Sequence, residues 1–235
     1  MKIDRRAQAR PDGVMPRSVV LQSSPRCERC RLPLRWCVCA ARQQIECPLQ
    51  VDVMMSTREQ WRPTSTGHLI TRALAGSRQH VWRRDRRPTV HEVSLPGREL
   101  WILHPCGGAM PARVAPETVQ VILIDGSWRE SSSIAQEIGG WGRLINLPMS
   151  GESRYWLRTQ ADAARFSTAE ALLFLLHAMG MDHVAGPLRA QFELHVYASL
   201  RARGGKESAR LFLQESPIGA LFPSLIEQLD VRRPR

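Results

Sequence analysis

The sequence lacks any apolar stretch that approaches the roughly 20 residues a membrane-spanning helix needs. Its longest apolar run, Ala171–Leu176, covers less than two helical turns. The first ten residues are basic, but no apolar segment follows them as it would in a secretory signal. We therefore expect a cytoplasmic protein with no membrane partner.

Several signatures of common enzyme classes are also absent. The chain has no G-x-x-x-x-G-K-[ST] loop for nucleoside triphosphates and no G-x-G-x-x-G dinucleotide fingerprint. It has no G-x-S-x-G nucleophile elbow and no H-E-x-x-H zinc-protease motif. These absences argue against an ATPase, a Rossmann dehydrogenase, an α/β hydrolase and a zincin.

Lysine is scarce: only Lys2 and Lys206 are lysines among the 33 basic residues, which face 22 acidic ones for a net charge of +11. The excess is uneven. Residues 1–42 carry ten basic and three acidic groups, net +7, whereas residues 121–200 carry six and eight, net −2. A basic amino-terminal region next to a near-neutral body favours a polyanionic partner such as nucleic acid. The alternative to a nucleic-acid partner is that the arginines only keep the protein soluble.

The cysteines cluster near the amino terminus in a C-x2-C-x6-C-x-C pattern. Four sulfurs at this spacing are typical of a closed, tetrahedral structural zinc site, whose ligands would be Cys27, Cys30, Cys37 and Cys39. A redox C-x-x-C is the alternative, but such a motif normally opens a helix after a strand. Four arginines interleave the ligands and would offset thiolate charge or contact phosphates: Arg26, Arg29, Arg31 and Arg35. We expect a flexible basic arm at 1–24, a zinc module at 25–45 and a catalytic domain at 46–235.

The remaining pattern indicates an α/β fold. Continuous apolar strands alternate with helices, as in a mainly parallel sheet covered on both faces. The predicted strands are 49–55, 100–103, 119–124 and 143–147, and the predicted helices are 68–75, 128–138, 167–179 and 188–200, with short helices at 211–213 and 221–229. Ligands of such sheets bind beyond the carboxyl ends of the strands.

The residue types that suit a shared site follow these strands, and each also has a structural interpretation. Asp125 ends an aliphatic strand and needs a donor, water or a ligand, or else caps the next helix. Trp128 offers a flat face to a base or packs against the sheet. Arg62, Arg154 and Arg158 are further candidates, and each could instead be a surface charge. Glu170 is a candidate that also fits a capping box with Ser167. His104 is a candidate that could instead be a structural hydrogen-bond donor.

Five short motifs in this order resemble the DTW-domain family of tRNA-uridine aminocarboxypropyltransferases, over about residues 26 to 200. They are the cysteine module 27–39, Arg62–Gly67, Asp125–Trp128, Ser153–Arg158 and Ser167–Ala171. Three positions depart from the family pattern. Ser127 replaces its usual Thr, Ser65 replaces its usual Asn, and Ser56–Glu59 keeps only the Glu of its His-Pro-x-Glu.

The resemblance implies a fold related to the SPOUT methyltransferases, with a knotted carboxy-terminal half that binds S-adenosylmethionine. It further implies transfer of the 3-amino-3-carboxypropyl group to N3 of a tRNA uridine, with Zn²⁺ as a structural ion and no obligate protein partner. The implied catalytic residues are Asp125, Trp128, Arg154 and Arg158. The residues expected to bind the donor are His104, Gly126, Ser127, Ser167, Thr168 and Glu170. The residues expected to bind RNA are Arg26, Arg29, Arg31 and Arg62. The alternatives are a SPOUT-type RNA methyltransferase and a non-catalytic zinc-containing RNA-binding protein.

Overall fold

A computed structural model of the chain describes residues 25–158 and 166–231. The predicted basic arm at 1–24 lies outside these residues. The five strands of the described chain are β1 (Gln50–Ser56), β2 (Arg78–Trp82), β3 (Glu99–Ala109), β4 (Val119–Asp125) and β5 (Arg143–Asn146). The helices are α1 (Thr66–Ala73), α2 (Val90–Val93), α3 (Trp128–Ile138), α4 (Thr168–Ala178), α5 (Asp182–Ala202), α6 (Lys206–Gln214), α7 (Ile218–Leu221) and α8 (Pro223–Asp230).

The strands form one sheet in the order β2-β1-β4-β3-β5, and every pair is parallel. The predicted α/β class with a mainly parallel sheet is thereby confirmed. β4 is buried along nearly its whole length because it lies in the centre of the sheet with helices on both sides. Its register places Asp125 opposite Met55, so the loops that follow β1 and β4 start side by side.

Both faces of the sheet carry a hydrophobic core. On one face, α3 packs through Ile134 and Ile138 against Ile102 and Ile122. The other face holds the larger core, which includes α1, α4 and α5. Cys30, Leu32 and Val38 of the cysteine module are buried within this larger core rather than in a separate one.

Several elements differ from the sequence-based prediction. Helix α2 was not predicted, β3 continues to Ala109 rather than ending at residue 103, and α6 begins at Lys206 rather than at residue 211. The strand β2 was not predicted, because its five residues are all only half-buried and its composition is mostly polar. Helix α5 begins at Asp182, six residues before the predicted start, and carries Pro187 inside its second turn. No helix formed by residues 25–158 or 166–231 is both long enough and apolar enough to cross a bilayer.

Candidate functional site

A pocket of about 280 Å³ opens at the carboxyl edge of the sheet. This volume is close to the lower end of the range of about 300–1,000 Å³ for small-molecule sites. Eight of the ten residues predicted for catalysis or donor binding line it: His104, Asp125, Gly126, Ser127, Trp128, Arg158, Ser167 and Thr168. The structure therefore brings together side chains that the sequence separates by more than 60 residues.

Asp125 is buried at the end of β4 and is held by two hydroxyl groups. Ser65 Oγ donates to its Oδ2 at 2.5 Å, and Thr168 Oγ1 donates to its Oδ1 at 2.6 Å. An ionised carboxylate has about four acceptor positions, so lone pairs remain on both oxygens. Asp125 thus has a fixed orientation and retains the capacity to accept a proton.

Two helices direct their amino termini at Asp125. Ser65 is the N-cap of α1, and Thr168 is the first residue of α4. The two helices also contact each other, since the Ala169 amide donates to Thr66 Oγ1 at 3.2 Å. The partial positive charge at helix amino termini stabilises an anion, either the Asp125 carboxylate or a carboxylate on a ligand.

The alternative role of Asp125 as a helix cap is wrong. The N-cap of α3 is Ser127, which forms a capping box with Glu130: its Oγ accepts from the Glu130 amide, and Glu130 accepts from the Ser127 amide at 2.9 Å. Trp128 follows as the first residue of α3 and remains 44% exposed at the pocket.

His104 lies at the pocket near the carboxyl end of the β3–β4 pairing. Its Nδ1 accepts a hydrogen bond from the Cys106 amide at 3.2 Å, which places the proton of the neutral ring on Nε2. Burial lowers the pKa of His104, so the ring is neutral near pH 7. The Nε2 atom is buried without a hydrogen-bond partner among the described residues.

Arg158 lines the pocket and is anchored by a buried carboxylate. Its Nη2 donates to Glu59 Oε2 at 2.8 Å, and its guanidinium lies 5.7 Å from the centre of the Tyr155 ring. Glu59 is fully buried and also accepts a hydrogen bond from Arg62. Tyr155 in turn donates to the Thr64 carbonyl. This network joins the loop after β1 to the segment that carries Arg158.

Arg154 and Glu170 lie outside the pocket lining. The Arg154 guanidinium donates to Glu215 at 2.7 Å and to the Phe212 carbonyl at 2.9 Å, and it lies 4.1 Å from the Phe212 ring centre. Glu170 accepts from Ser153 Oγ at 2.9 Å and from the Arg154 amide at 2.6 Å, in addition to its capping-box bond to the Ser167 amide. Both residues fix the 153–158 segment against the carboxy-terminal helices.

The four clustered cysteines have the geometry of a metal site. Their sulfur atoms all lie within 4.8 Å of one another, and the Cys27–Cys39 and Cys30–Cys37 pairs are each 3.7 Å apart. Zinc–sulfur bonds of about 2.3 Å place tetrahedral ligands about 3.8 Å apart. Residues Cys27, Cys30, Cys37 and Cys39 therefore fit a zinc ion.

The charge around these thiols also suits a tetrathiolate centre. Arg72 on α1 is half-buried, and burial together with the charges of Arg31 and Arg42 lowers its pKa to about 10. The Cys30 and Cys39 sulfurs are the nearby groups that can balance it. Four thiolates around one Zn²⁺ leave two negative charges, which these arginines would offset.

The arginines predicted to bind RNA fall into two groups. Arg26 and Arg29 are exposed on the cysteine module. Arg31 instead donates to the Gln60 carbonyl and lies 3.1 Å from His68 Nε2, and Arg62 pairs with Glu59. The latter two hold the loop after β1 in place.

Sequence reasoning quoted four residues only as parts of motifs and assigned them no role, although they shape the site: Glu59, Ser65, Thr66 and Tyr155. A local signal existed for one of them, because Ser65 stands directly before a helical pattern, where an N-cap is expected. Its contact with Asp125 spans 60 residues and has no local signature.

A family model described as the DTW domain matches residues 24–200. The match includes the cysteine module, the pocket and most of α5. No solved structure matches the chain.

Proposed function

The chain belongs to the DTW-domain family, and on that premise we propose that it transfers the 3-amino-3-carboxypropyl group of S-adenosylmethionine to N3 of a uridine in tRNA. The observation that carries the proposal is the buried Asp125 carboxylate, fixed by two hydroxyls and two helix amino termini at a pocket. The family is consistent with tRNA modification, and residues from four of the five motifs that carry the resemblance line this pocket.

The proposed step forms a bond between uridine N3 and the terminal carbon of the aminocarboxypropyl chain. The carbon–sulfur bond breaks, and its electron pair leaves with sulfur as methylthioadenosine. The N3 proton must depart, because N3–H is a weak acid that is mostly protonated at neutral pH. We assign its removal to Asp125, which is oriented and has free acceptor positions.

The other pocket groups would bind the donor. Arg158 offers a cation for the donor carboxylate, and the amino terminus of α4 at Ser167 and Thr168 adds a second anion-stabilising feature. The exposed face of Trp128 suits a purine ring. Because Arg154 is engaged by α6 and Glu215, its part in the proposal is to position the 153–158 segment.

The proposal extends to the rest of the molecule. We infer a structural Zn²⁺ on the four cysteines, tRNA contacts from Arg26 and Arg29, a tRNA-binding arm at 1–24 and a cytoplasmic site of action. The relation to the SPOUT methyltransferases, with a knotted carboxy-terminal half, is likewise an inference from the family resemblance. A parallel sheet with its pocket at the carboxyl edge supports it.

Mass spectrometry of tRNA nucleosides tests this function in cells. A strain without the gene should lack 3-(3-amino-3-carboxypropyl)uridine in its tRNA, and the wild-type gene should restore it. The D125N gene is the matched control, because it should be expressed without restoring the nucleoside. An identical nucleoside profile with and without the gene would contradict the proposal.

A further inference from the structure

Trp61 exposes a large aromatic ring to solvent on the turn whose Glu59 holds the pocket-lining Arg158. It ends the short 3-10 turn Glu59–Trp61 directly after β1, and it is 72% exposed, more than the other large apolar side chains of the described chain. The core does not use this ring. The flat face of the ring is therefore accessible to a partner.

The turn that carries Trp61 is held on both sides. Before Trp61, the Gln60 carbonyl accepts hydrogen bonds from Arg31 and from His68 Nε2, the latter at 2.9 Å. After Trp61, Arg62 pairs with the fully buried Glu59. The ring is therefore presented on a fixed backbone, so binding to it costs little conformational entropy.

Two arginines of the same loop, Arg58 and Arg62, flank Trp61 in the sequence. The Arg58 and Arg62 side chains are 79% and 46% exposed. Arg58 lies 3.9 Å from Glu130 in the first turn of α3, which brings the turn next to the helix that carries Trp128. An exposed aromatic ring in a loop that also carries exposed arginines has the chemistry that stacks a nucleobase and attracts its phosphates.

We propose that Trp61 stacks on an unpaired base of the RNA that flanks the nucleotide in the pocket, with Arg58 on an adjacent phosphate. This inference rests on the proposed function. It favours RNA over a protein partner because a protein interface buries about 800 Å² on each side and has a continuous apolar centre. Apart from Trp128 at the pocket, the other exposed large apolar residues of the described chain lie on the cysteine module and near the carboxy-terminal end: Leu34, Leu221 and Val231.

The test is a fluorescence anisotropy titration of end-labelled tRNA, taken from cells that lack the gene, over a series of salt concentrations. Loss of one stacked base should weaken binding by W61A about 5- to 150-fold, whereas W61F should keep most of the affinity. The slope of log affinity against log salt should stay unchanged in W61A, because that slope counts phosphate contacts. R58A should make the slope shallower by about 0.7–0.9.

L221A is the control, since it removes another exposed apolar side chain, on α7, and should bind as the wild type does. W61A affinity within twofold of wild type, W61F as weak as W61A, or a changed salt slope in W61A would each overturn the stacking role. None of these three outcomes would contradict the proposed function, because transfer of the aminocarboxypropyl group is measured in a separate assay. A wild-type protein that binds no tRNA would overturn both.

Discussion

Asp125 differs in its surroundings from Asp52, the other buried aspartate among the residues that the structure describes. Asp125 receives two neutral hydroxyls and borders the pocket, whereas Asp52 on β1 receives Arg78 at 2.5 Å and Gln120 at 2.7 Å and lies away from it. The two residues therefore form a matched pair in which the same substitution has different consequences.

We predict that D125N lowers the single-turnover rate by about 10²–10⁴-fold, the usual cost of a lost general base. Its tRNA affinity should stay near the wild-type value, because Asp125 is buried and makes no contact at the surface. D52N should lose stability and keep its turnover. A D125N rate within threefold of wild type would exclude the assigned role.

Asp52 should make stability depend on pH below about 4. Burial by itself raises its pKa, but hydrogen bonds from His80, Arg78 and Gln50 outweigh burial and hold the pKa at about 2. Since an unfolded aspartate titrates near 3.9, the contribution is complete above that pH and is lost as the pH falls toward 2. Urea unfolding should show the stability gap between wild type and D52N shrinking by about 2 kcal/mol from pH 6 to pH 2. A gap independent of pH would contradict the ionised pair.

At this scale, sequence reasoning identified the polar residues that end strands and begin helices. Asp125 and Ser167 are of this kind, because strand ends and N-caps have local signatures. Ser127 was not recognised as the N-cap of α3. Sequence reasoning could not predict which of Arg154 and Arg158 lines the pocket. Both arginines lie in one short segment, and only tertiary contacts direct one to the pocket and the other to α6.

Helix α1 links the pocket to the rest of the fold. A Cβ atom on Gly67 would lie 2.7 Å from Asp125 Oδ2 and 2.9 Å from Val53 Cγ1, so the helix approaches β4 as closely as glycine permits. The close approach lets Ser65 reach Asp125.

We predict that G67A displaces α1 or Asp125 and lowers the transfer rate by tenfold or more, since misplacement by about 1 Å can cost about 100-fold. Overpacking should also cost about 1–3 kcal/mol. The control is G186A on α5, where an added Cβ meets nothing within 4 Å and should be neutral or stabilising. Melting curves and single-turnover rates of both variants check this, and a G67A enzyme with normal rate would refute the tight-contact argument.

The cysteine module supports the same helix. Arg72 of α1 lies beside Cys30 and Cys39, and the Ile45 amide donates to the Ala73 carbonyl at 2.8 Å. Loss of the metal should therefore loosen α1 as well as the module, while the sheet stays folded.

We predict that the purified wild type contains about one zinc per chain and that C30S releases it. Hydrogen exchange of C30S should speed up in residues 27–39 and in α1. C106S is the control, because Cys106 is exposed and lies outside the cluster. Less than half a zinc per chain in freshly purified, unstripped protein would contradict the tetrathiolate site.

Elements were predictable where burial produces a clear pattern. β4 is a continuous apolar run and matches its predicted span within a residue. β2 has the sequence RQHVW and pairs only with β1 at the edge of the sheet, so it has no such pattern. Helix α5 carries Pro187 in its interior, where proline is normally unfavourable, so its start at Asp182 has no clear signal in the sequence.

Across the whole molecule, a parallel sheet could be predicted from strands that alternate with helices, but its order could not. The order β2-β1-β4-β3-β5 depends on which faces the helices cover, and this is decided by long-range packing. That order makes β1 and β4 neighbours, and it thereby joins Ser65, Asp125 and Thr168. The pocket is a property of the assembled sheet.

The most direct test of the account is to follow two labels of the donor. Purified protein is incubated with tRNA from cells that lack the gene and with S-adenosylmethionine labelled either in its carboxyl group or in its methyl group. We predict that the carboxyl label enters tRNA and that the methyl label leaves as methylthioadenosine. D125N should lower the rate of both by about 10²–10⁴-fold. Methyl label in tRNA would instead indicate a methyltransferase, and tRNA that binds but gains neither label would indicate a non-catalytic binder; either result would contradict the account.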